Sequence, residues 1–261
     1  GDGDIDVLSA SQYSESYVSF YENNGNMTFS QHIITTSNEN PYDVFAIDMD
    51  RDGDIDVLTA SHSGNDIAWH ENTPNVKYHV STTGIDSNTG SSSSPFKTIQ
   101  KAINTAYNFG DTILVQPGTY NEVINYNGKA IILGSNYLTT NDTTYISTTI
   151  IDGSGIDSSV VTLENVAFSA RLTGFTITNG VAEGANWPKG YGGGIMCYKS
   201  NITLDHLIIS SNEALYYGGG IYIREASPMI SDVIIRNNDC GQNGGGLYMN
   251  QGDQALDAIF N

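Results

Sequence analysis

Apolar residues return to the same place every 26 positions in the last third of the chain. Leu207-Ile208-Ile209 falls on Val233-Ile234-Ile235, and an asparagine follows each run, at 212 and 238. Three glycine triplets punctuate the same stretch: Gly192-Gly193-Gly194, Gly218-Gly219-Gly220 and Gly244-Gly245-Gly246. Each precedes an apolar residue, Ile195, Ile221 or Leu247. A fixed period of this length signals stacked structural repeats. Within a repeat, apolar and polar residues alternate, the period of a strand with one buried face. Phe175, Leu207, Val233 and Ile259 are expected to stack inward, as are Ile177, Ile209 and Ile235, and Ile195, Ile221 and Leu247. No coil can bury its apolar face alone, so each relies on its neighbours. The pattern predicts a parallel β-helix from about residue 110 onward. Phe175 lies 32 residues before Leu207, and the excess of six predicts a longer loop around Val181–Tyr191. The glycines permit the positive φ and close approach that the corners need. Asn212 and Asn238 are expected at a turn, where Asn tolerates the left-handed region.

Ahead of these coils the pattern changes period. Phe96, Ile99, Ala102, Ile103 and Ala106 make one stripe of a helix, with Ser94 as its cap, Pro95 in the first turn and Gly110 as its stop. Tyr78-His79-Val80-Ser81 and Ile113-Leu114-Val115 read as strands, with a Ser/Gly/Asn loop at residues 86–94.

The first part of the chain has a different repeat. Asp2-Gly3-Asp4-Ile5-Asp6-Val7-Leu8 recurs 50 residues later as Asp52-Gly53-Asp54-Ile55-Asp56-Val57-Leu58. Phe20-Tyr21-Glu22-Asn23 recurs 49 residues later as Trp69-His70-Glu71-Asn72. That is the length of a propeller blade. The complete copy, Asp48-Met49-Asp50-Arg51-Asp52-Gly53-Asp54-Ile55-Asp56, puts carboxylates at alternate positions that can wrap one hard cation in oxygen ligands. An EF-hand needs a glutamate where Thr59 stands, and helices where Val44–Ile47 and Ile55–Ala60 read as strands.

These residues carry two resemblances. The acidic loop, with the Phe20–Gly25 and Ile67–Asn72 segments, resembles the FG-GAP and VCBS-type repeats of integrin-like β-propellers. That family binds calcium through this loop. The resemblance therefore implies Asp48, Asp50, Asp52 and Asp56 as ligands of a Ca2+ cofactor, with Asp54 contributing its backbone carbonyl, and a partial first site at Asp2, Asp4 and Asp6. From Tyr78 to Asn261 the coils resemble the right-handed parallel β-helices of the pectin-lyase-like superfamily, with residues 78–120 matching its N-terminal cap. The GGGI-plus-Asn pattern is similar to the repeats of polymorphic outer-membrane proteins. The expected fold is all-β: truncated propeller blades over 1–73, a linker at 74–77, and a parallel β-helix over 78–261 that continues beyond the chain given.

Asp plus Glu is 29 against 10 Lys plus Arg, a formal net charge of −19. Residues 1–72 hold 14 of these acids and a single basic residue, Arg51. That balance argues against nucleic acid, whose phosphates need Lys and Arg. No run of apolar residues is long enough to span a membrane. Abundant Gly, Asn, Ser, Thr and Tyr with little Lys predicts an extracellular or cell-surface protein. Cys197 aligns with inward Ile223 and Met249, and Cys240 aligns with Ala214 in a turn. They are either two free thiols or a disulfide, and no CxxC motif points to zinc or redox chemistry.

Two constellations bear on function. Met196, Tyr222 and Tyr248 align on the outer side of one strand, with Trp187 and Tyr191 in the enlarged loop beside them. Exposed aromatics stack on sugar rings, so Trp187, Tyr191, Tyr222 and Tyr248 are expected to lie close together, exposed, as a site for polysaccharide or cell-surface glycan. His206 aligns with Asp232, and Arg236 follows on the same outward face. That trio is the one weak candidate for catalysis by an acid–base group. Two classes of function follow: a calcium-binding surface module for binding or adhesion, and a polysaccharide lyase or glycoside hydrolase.

Overall fold

The computed structural model describes residues 5–12, 16–25, 28–36, 40–49, 55–72, 75–107, 109–167, 169–250 and 259–260. The chain divides into two compact units, Gly1–Pro74 and Asn75–Asn261.

The first unit holds two antiparallel three-stranded sheets. One is β1 (Val7–Ser11), β2 (Tyr17–Asn23) and β3 (Phe29–Thr35); the other is β4 (Pro41–Ile47), β5 (Asp56–Ser61) and β6 (Asp66–His70). The 50-residue repeat becomes two hairpins in matching register. Val7 faces Tyr21 in one, and Val57 faces His70 in the other. A carboxylate clips each hairpin in the same way: Asp6 accepts the N–H of Asn23 at 2.9 Å, and Asp56 accepts that of Asn72 at 2.7 Å.

The second unit is a parallel β-helix. One sheet runs β10 (Ile124–Asn125), β13 (Val161–Glu164), β17 (Ile195–Tyr198), β20 (Ile221–Arg224) and β23 (Leu247–Asn250). A second runs β7 (Lys77–Val80), β8 (Phe109–Val115), β11 (Ala130–Ser135) and β14 (Arg171–Thr173) into the first half of β18 (Thr203–Ser210). The other half of β18 continues a column of β9 (Gly118–Asn121), β12 (Thr149–Asp152) and β15 (Thr176–Thr178). Beyond β18 lie β21 (Met229–Arg236) and β24 (Ile259–Phe260). A short third column is β16 (Val181–Ala182), β19 (Glu213–Ala214) and β22 (Asp239–Cys240). Parallel pairing starts earlier than the repeat predicts: Lys77–Val80, partly read as linker, pairs with Thr112–Val115.

Left-handed residues turn each coil at fixed stations. One station is Gly192, Gly218 and Gly244, as the triplets predict; another is Asn179, Ser211 and Asn237; a third is Gly174, His206 and Asp232. At the second station the left-handed residue falls one position before Asn212 and Asn238. Those side chains instead point into the coil. Asn212 accepts from Gly180 N and donates to the Ile177 carbonyl and to Asn238 Oδ1, while Asn238 donates to the Ile209 carbonyl. These amides, buried in Asn212 and half-buried in Asn238, thus satisfy backbone groups that the corner leaves open. Gly193 and Gly219 have no room for a Cβ, which would run into the backbone carbonyls of Glu213 and Asp239 on the next coil.

The inward stack is as the sequence predicts wherever side chains are described; that of Ile259 lies outside them. Phe175, Ile177, Leu207, Ile209, Ile195, Cys197, Ile221 and Ile223 form one buried core, with Val233, Ile235, Leu247 and Met249 packed against it. The helix that closes this core, α1 (Ile99–Thr105), begins later than the predicted Ser94 cap, and its N-cap is Thr98. Residues before it stay extended because Phe96 pairs with Val80: its N–H donates to the His79 carbonyl, and its own carbonyl accepts the N–H of Ser81. Glu122 accepts the N–H groups of Ile99 and Gln100, and Lys129 Nζ donates to the carbonyls of Ile103 and Ala106. Two short helices, α2 (Tyr137–Thr140) and α3 (Thr144–Thr148), form an excursion between β11 and β12.

Candidate functional site

Alternation along β17, β20 and β23 turns every second residue out of the core. Met196, Tyr222 and Tyr248 stand in register across three coils; so do Tyr198, Arg224 and Asn250. Bridges align Tyr191, Tyr217 and Asn243 at the neighbouring corner. The enlarged loop between β16 and β17 folds over this face. Its anchors are the N–H of Tyr216 donating to the Gly190 carbonyl and the hydroxyl of Tyr216 donating to that of Ala185.

The loop delivers Trp187 into the tyrosines. Its ring centroid lies 5.2 Å from Tyr191, 5.3 Å from Tyr198 and 5.9 Å from Tyr222. Tyr191 is 4.9 Å from Tyr222, and Tyr217 is 4.5 Å from Tyr248. The guanidinium of Arg224 sits 4.7 Å over the Trp187 ring, a cation–π contact that fixes the indole. Arg224 also meets Glu225 at 3.1 Å, and Lys199 lies 5.2 Å over Tyr198.

The four predicted aromatics therefore come together, but not all are exposed. Tyr222 is only 2 % accessible, while Trp187 is 39 % accessible. Tyr222 is not part of the solenoid core; it faces outward and is covered by Trp187, Tyr191 and Tyr248. Burial pushes its phenol above the ordinary range. Tyr222 is a floor, and Trp187 with half-buried Tyr191, Tyr198 and Tyr248 is the accessible surface. Trp187 meets Tyr191, Tyr198 and Tyr222 edge-on, at interplanar angles of 62°, 78° and 61°.

A second cluster lies at the bend of β18. His206 Nδ1 is 2.7 Å from the buried carboxylate of Asp205, and His206 Nε2 is 3.8 Å from Asp232. Asp205 also accepts from Arg171 Nε at 2.7 Å, Arg171 Nη2 at 2.8 Å and the hydroxyl of Thr173 at 2.8 Å. Burial alone would raise the Asp205 pKa; the hydrogen bonds from Arg171, His206 and Thr173 outweigh it and hold the carboxyl below its usual value. Tyr137 stacks on the imidazole at 4.4 Å. Arg236 pairs in register with Ser210, beyond the bend, and is not among these partners. Sequence reasoning found His206 and Asp232 but missed Asp205, Arg171 and Tyr137. The register of Thr173 with Asp205 is the signal that links them.

In the first unit, Asp2, Asp4, Asp50, Asp52 and Asp54 lie outside the described residues. Of the complete loop, Asp48 and Asp56 are described. The Asp56 carboxylate accepts the N–H groups of Asn72 and Met49 at 2.7 and 2.9 Å, which hold its pKa low. A carboxylate offers about four lone-pair directions, so Asp56 can tie the loop to β6 and still present oxygen to an ion. Cys197 is buried and Cys240 partly so, both as free thiols; burial pushes the Cys197 thiol up to about 12. No helix of the described residues is long and apolar enough to cross a membrane.

Residues 82–257 match the family described as Protein of unknown function (DUF1565), and residues 1–59 match the FG-GAP-like repeat. No curated protein matches the chain. Similar solved structures include a rhamnogalacturonan lyase (19 % identity, TM-score 0.39, covering 68 % of this chain and 45 % of that one). A pectin methylesterase from carrot shows 17 % identity and TM-score 0.36, covering 62 % and 53 %. A GH136 lacto-N-biosidase from Eubacterium ramulus shows 19 % identity and TM-score 0.34, covering 66 % and 30 %. The chain thus spans about half or less of the length of these proteins. The parallel β-helix is seen in the strand pairing itself.

Proposed function

The chain belongs to the DUF1565 family, and from that premise we propose that it is a calcium-binding, surface-exposed module that binds polysaccharide through the aromatic face over β17, β20 and β23. One observation carries the glycan reading. Trp187 is held by Arg224 at 4.7 Å, yet remains 39 % accessible at the edge of a packed tyrosine floor. Core aromatics have no reason to stop half-covered, and scattered surface tyrosines have no reason to stack. Aromatic side chains present large contact area at low entropic cost, which suits a ligand of repeated flat rings.

Calcium belongs to the first unit in this reading. Asp48, Asp50, Asp52 and Asp56, with the carbonyl of Asp54, supply the all-oxygen set that a hard cation takes. The ion stabilises the hairpin pair that Asp56 already clips to Asn72. Its role is structural, ordering the unit that precedes the β-helix in the chain. An exported or cell-surface location follows, since polysaccharide of this kind is met outside the cell.

Affinity electrophoresis of the full chain through gels loaded with neutral and acidic polysaccharides tests the glycan reading. Retardation by at least one polysaccharide, relieved in Trp187→Ala, supports it. Equal mobility of the two proteins in every gel contradicts it.

A further inference from the structure

We propose that Nε2 of His206 and the carboxylate of Asp232 together hold a divalent transition-metal cation of the zinc–copper class at the bend of the β-helix. The site is separate from the aromatic face. Three features of the geometry lead to it.

The first is the state of the imidazole. Asp205 is a buried acceptor whose oxygens already take two bonds from Arg171 and one from Thr173. The nitrogen it meets, Nδ1 of His206 at 2.7 Å, is therefore the one that carries the proton. In the neutral ring this leaves the lone pair on Nε2, the atom that faces outward. A carboxylate behind a histidine in this manner fixes the tautomer and raises its basicity as a ligand.

The second is aim. The ring is packed against Tyr137 at 4.4 Å, so its direction is set before any ion arrives. His206 and Asp232 occupy the same left-handed station on successive coils, both with φ of 52°, which turns both side chains out at the bend. The His206 side chain is 27 % accessible and that of Asp232 is 68 % accessible, so an ion reaches both from solvent.

The third is spacing. Nε2 and the Asp232 Oδ2 lie 3.8 Å apart, too far for a hydrogen bond. The gap is shorter than a zinc–nitrogen bond of about 2.0–2.1 Å and a zinc–oxygen bond of about 2.0–2.2 Å laid end to end. One ion bridges them with a side-chain adjustment and no backbone movement. An imidazole in the set selects zinc, copper or nickel over calcium and magnesium, which take oxygen ligands. With two protein ligands the ion keeps open positions for water or an anionic group.

The test is calorimetric titration of Zn2+ into the full chain in saturating Ca2+, which keeps the acidic loop occupied. We expect one Zn2+ per chain, with affinity falling about tenfold or more in both His206→Asn and Asp232→Asn. Asparagine tolerates the left-handed conformation, so both variants keep the bend; His206→Asn also loses the contact with Asp205, so its unfolding temperature should fall, and circular dichroism verifies that each variant is folded at the titration temperature. The other histidines, His32, His62, His70 and His79, supply any background binding. Persistence of the tightest binding event in either variant overturns the shared site, as does a wild-type chain that binds no Zn2+ above that background.

Discussion

Tyr222 and Tyr248, one coil apart, stack with their ring planes 1° apart and their centroids 5.8 Å apart. Their parallelism follows from the parallel register of β20 on β23, which places equivalent side chains directly above one another. A sequence offset of 26 residues thereby becomes an aromatic row running along the solenoid axis. Trp187 ends that row and opens it to solvent.

The buried amide of Asn212 holds the corner between β18 and β19, and the half-buried amide of Asn238 on the next coil supports it. Replacing Asn212 with Ala leaves the Gly180 N–H and the Ile177 carbonyl without their partner inside the coil. We expect a loss of about 2–4 kcal/mol in urea unfolding, against under about 1 kcal/mol for an exposed asparagine such as Asn201. Equal losses at both positions contradict a structural role for the ladder.

Much of this fold was legible because the repeat is tested three times over. Ile195, Ile221 and Leu247 fix one inward position, and alternation then assigns Met196, Tyr222 and Tyr248 outward. What the alternation could not show is what lies on top. Tyr222 is buried by a loop that has no counterpart in the next coils, so the period says nothing about it. Asp205 escaped notice for a related reason. The left-handed bend at His206 turns two successive residues away from the core, between inward Leu204 and Leu207, and strict alternation fails there. The helix cap moved from Ser94 to Thr98 because a strand pairing, Val80 with Phe96, competed with local helix signals and won. The ligand loop is read from sequence alone, since Asp50, Asp52 and Asp54 lie outside the described residues.

Asp205 makes the β-helix sensitive to acid. Its folded pKa is depressed, so it contributes stability that is complete above the unfolded carboxylate value of about 3.9 and is lost as pH falls through the lower folded value. Asp205→Asn removes the charge that Arg171 and His206 share. With Arg171 partly exposed, we expect it to cost about 1–3 kcal/mol at neutral pH and to flatten the acid limb of stability against pH. An acid limb identical to wild type would falsify this assignment.

Thiol labelling separates the two cysteines. Cys197 is buried with its thiol pushed up to about 12, whereas Cys240 is partly accessible on β22. Only the thiolate reacts, so the folded protein should consume about one equivalent of an aromatic disulfide reagent, and about two after denaturation. Peptide mapping should place the first label on Cys240. Rapid labelling of Cys197 in the folded chain contradicts its core position.

Calcium should raise the unfolding temperature of the first unit by mass action, with the increase growing as Ca2+ rises above its dissociation constant. The Asp50→Ala/Asp52→Ala variant should lose this dependence while the β-helix transition stays in place. Chelation of wild type should reproduce the variant. A shift that survives in the variant assigns the calcium effect elsewhere.

The central claim is that Trp187 is a sugar-stacking surface presented by the tyrosine floor. Calorimetric titration of the full chain with the polysaccharide that retards it most, compared with Trp187→Ala, tests this most directly. Loss of one aromatic–ring contact worth about 1–3 kcal/mol corresponds to an affinity falling about 5- to 150-fold. Trp187→Ala also uncovers Tyr222, so its unfolding transition is measured alongside and the titration is made where both proteins are folded. The same Kd in wild type and Trp187→Ala, with both proteins folded, would contradict the glycan-binding reading.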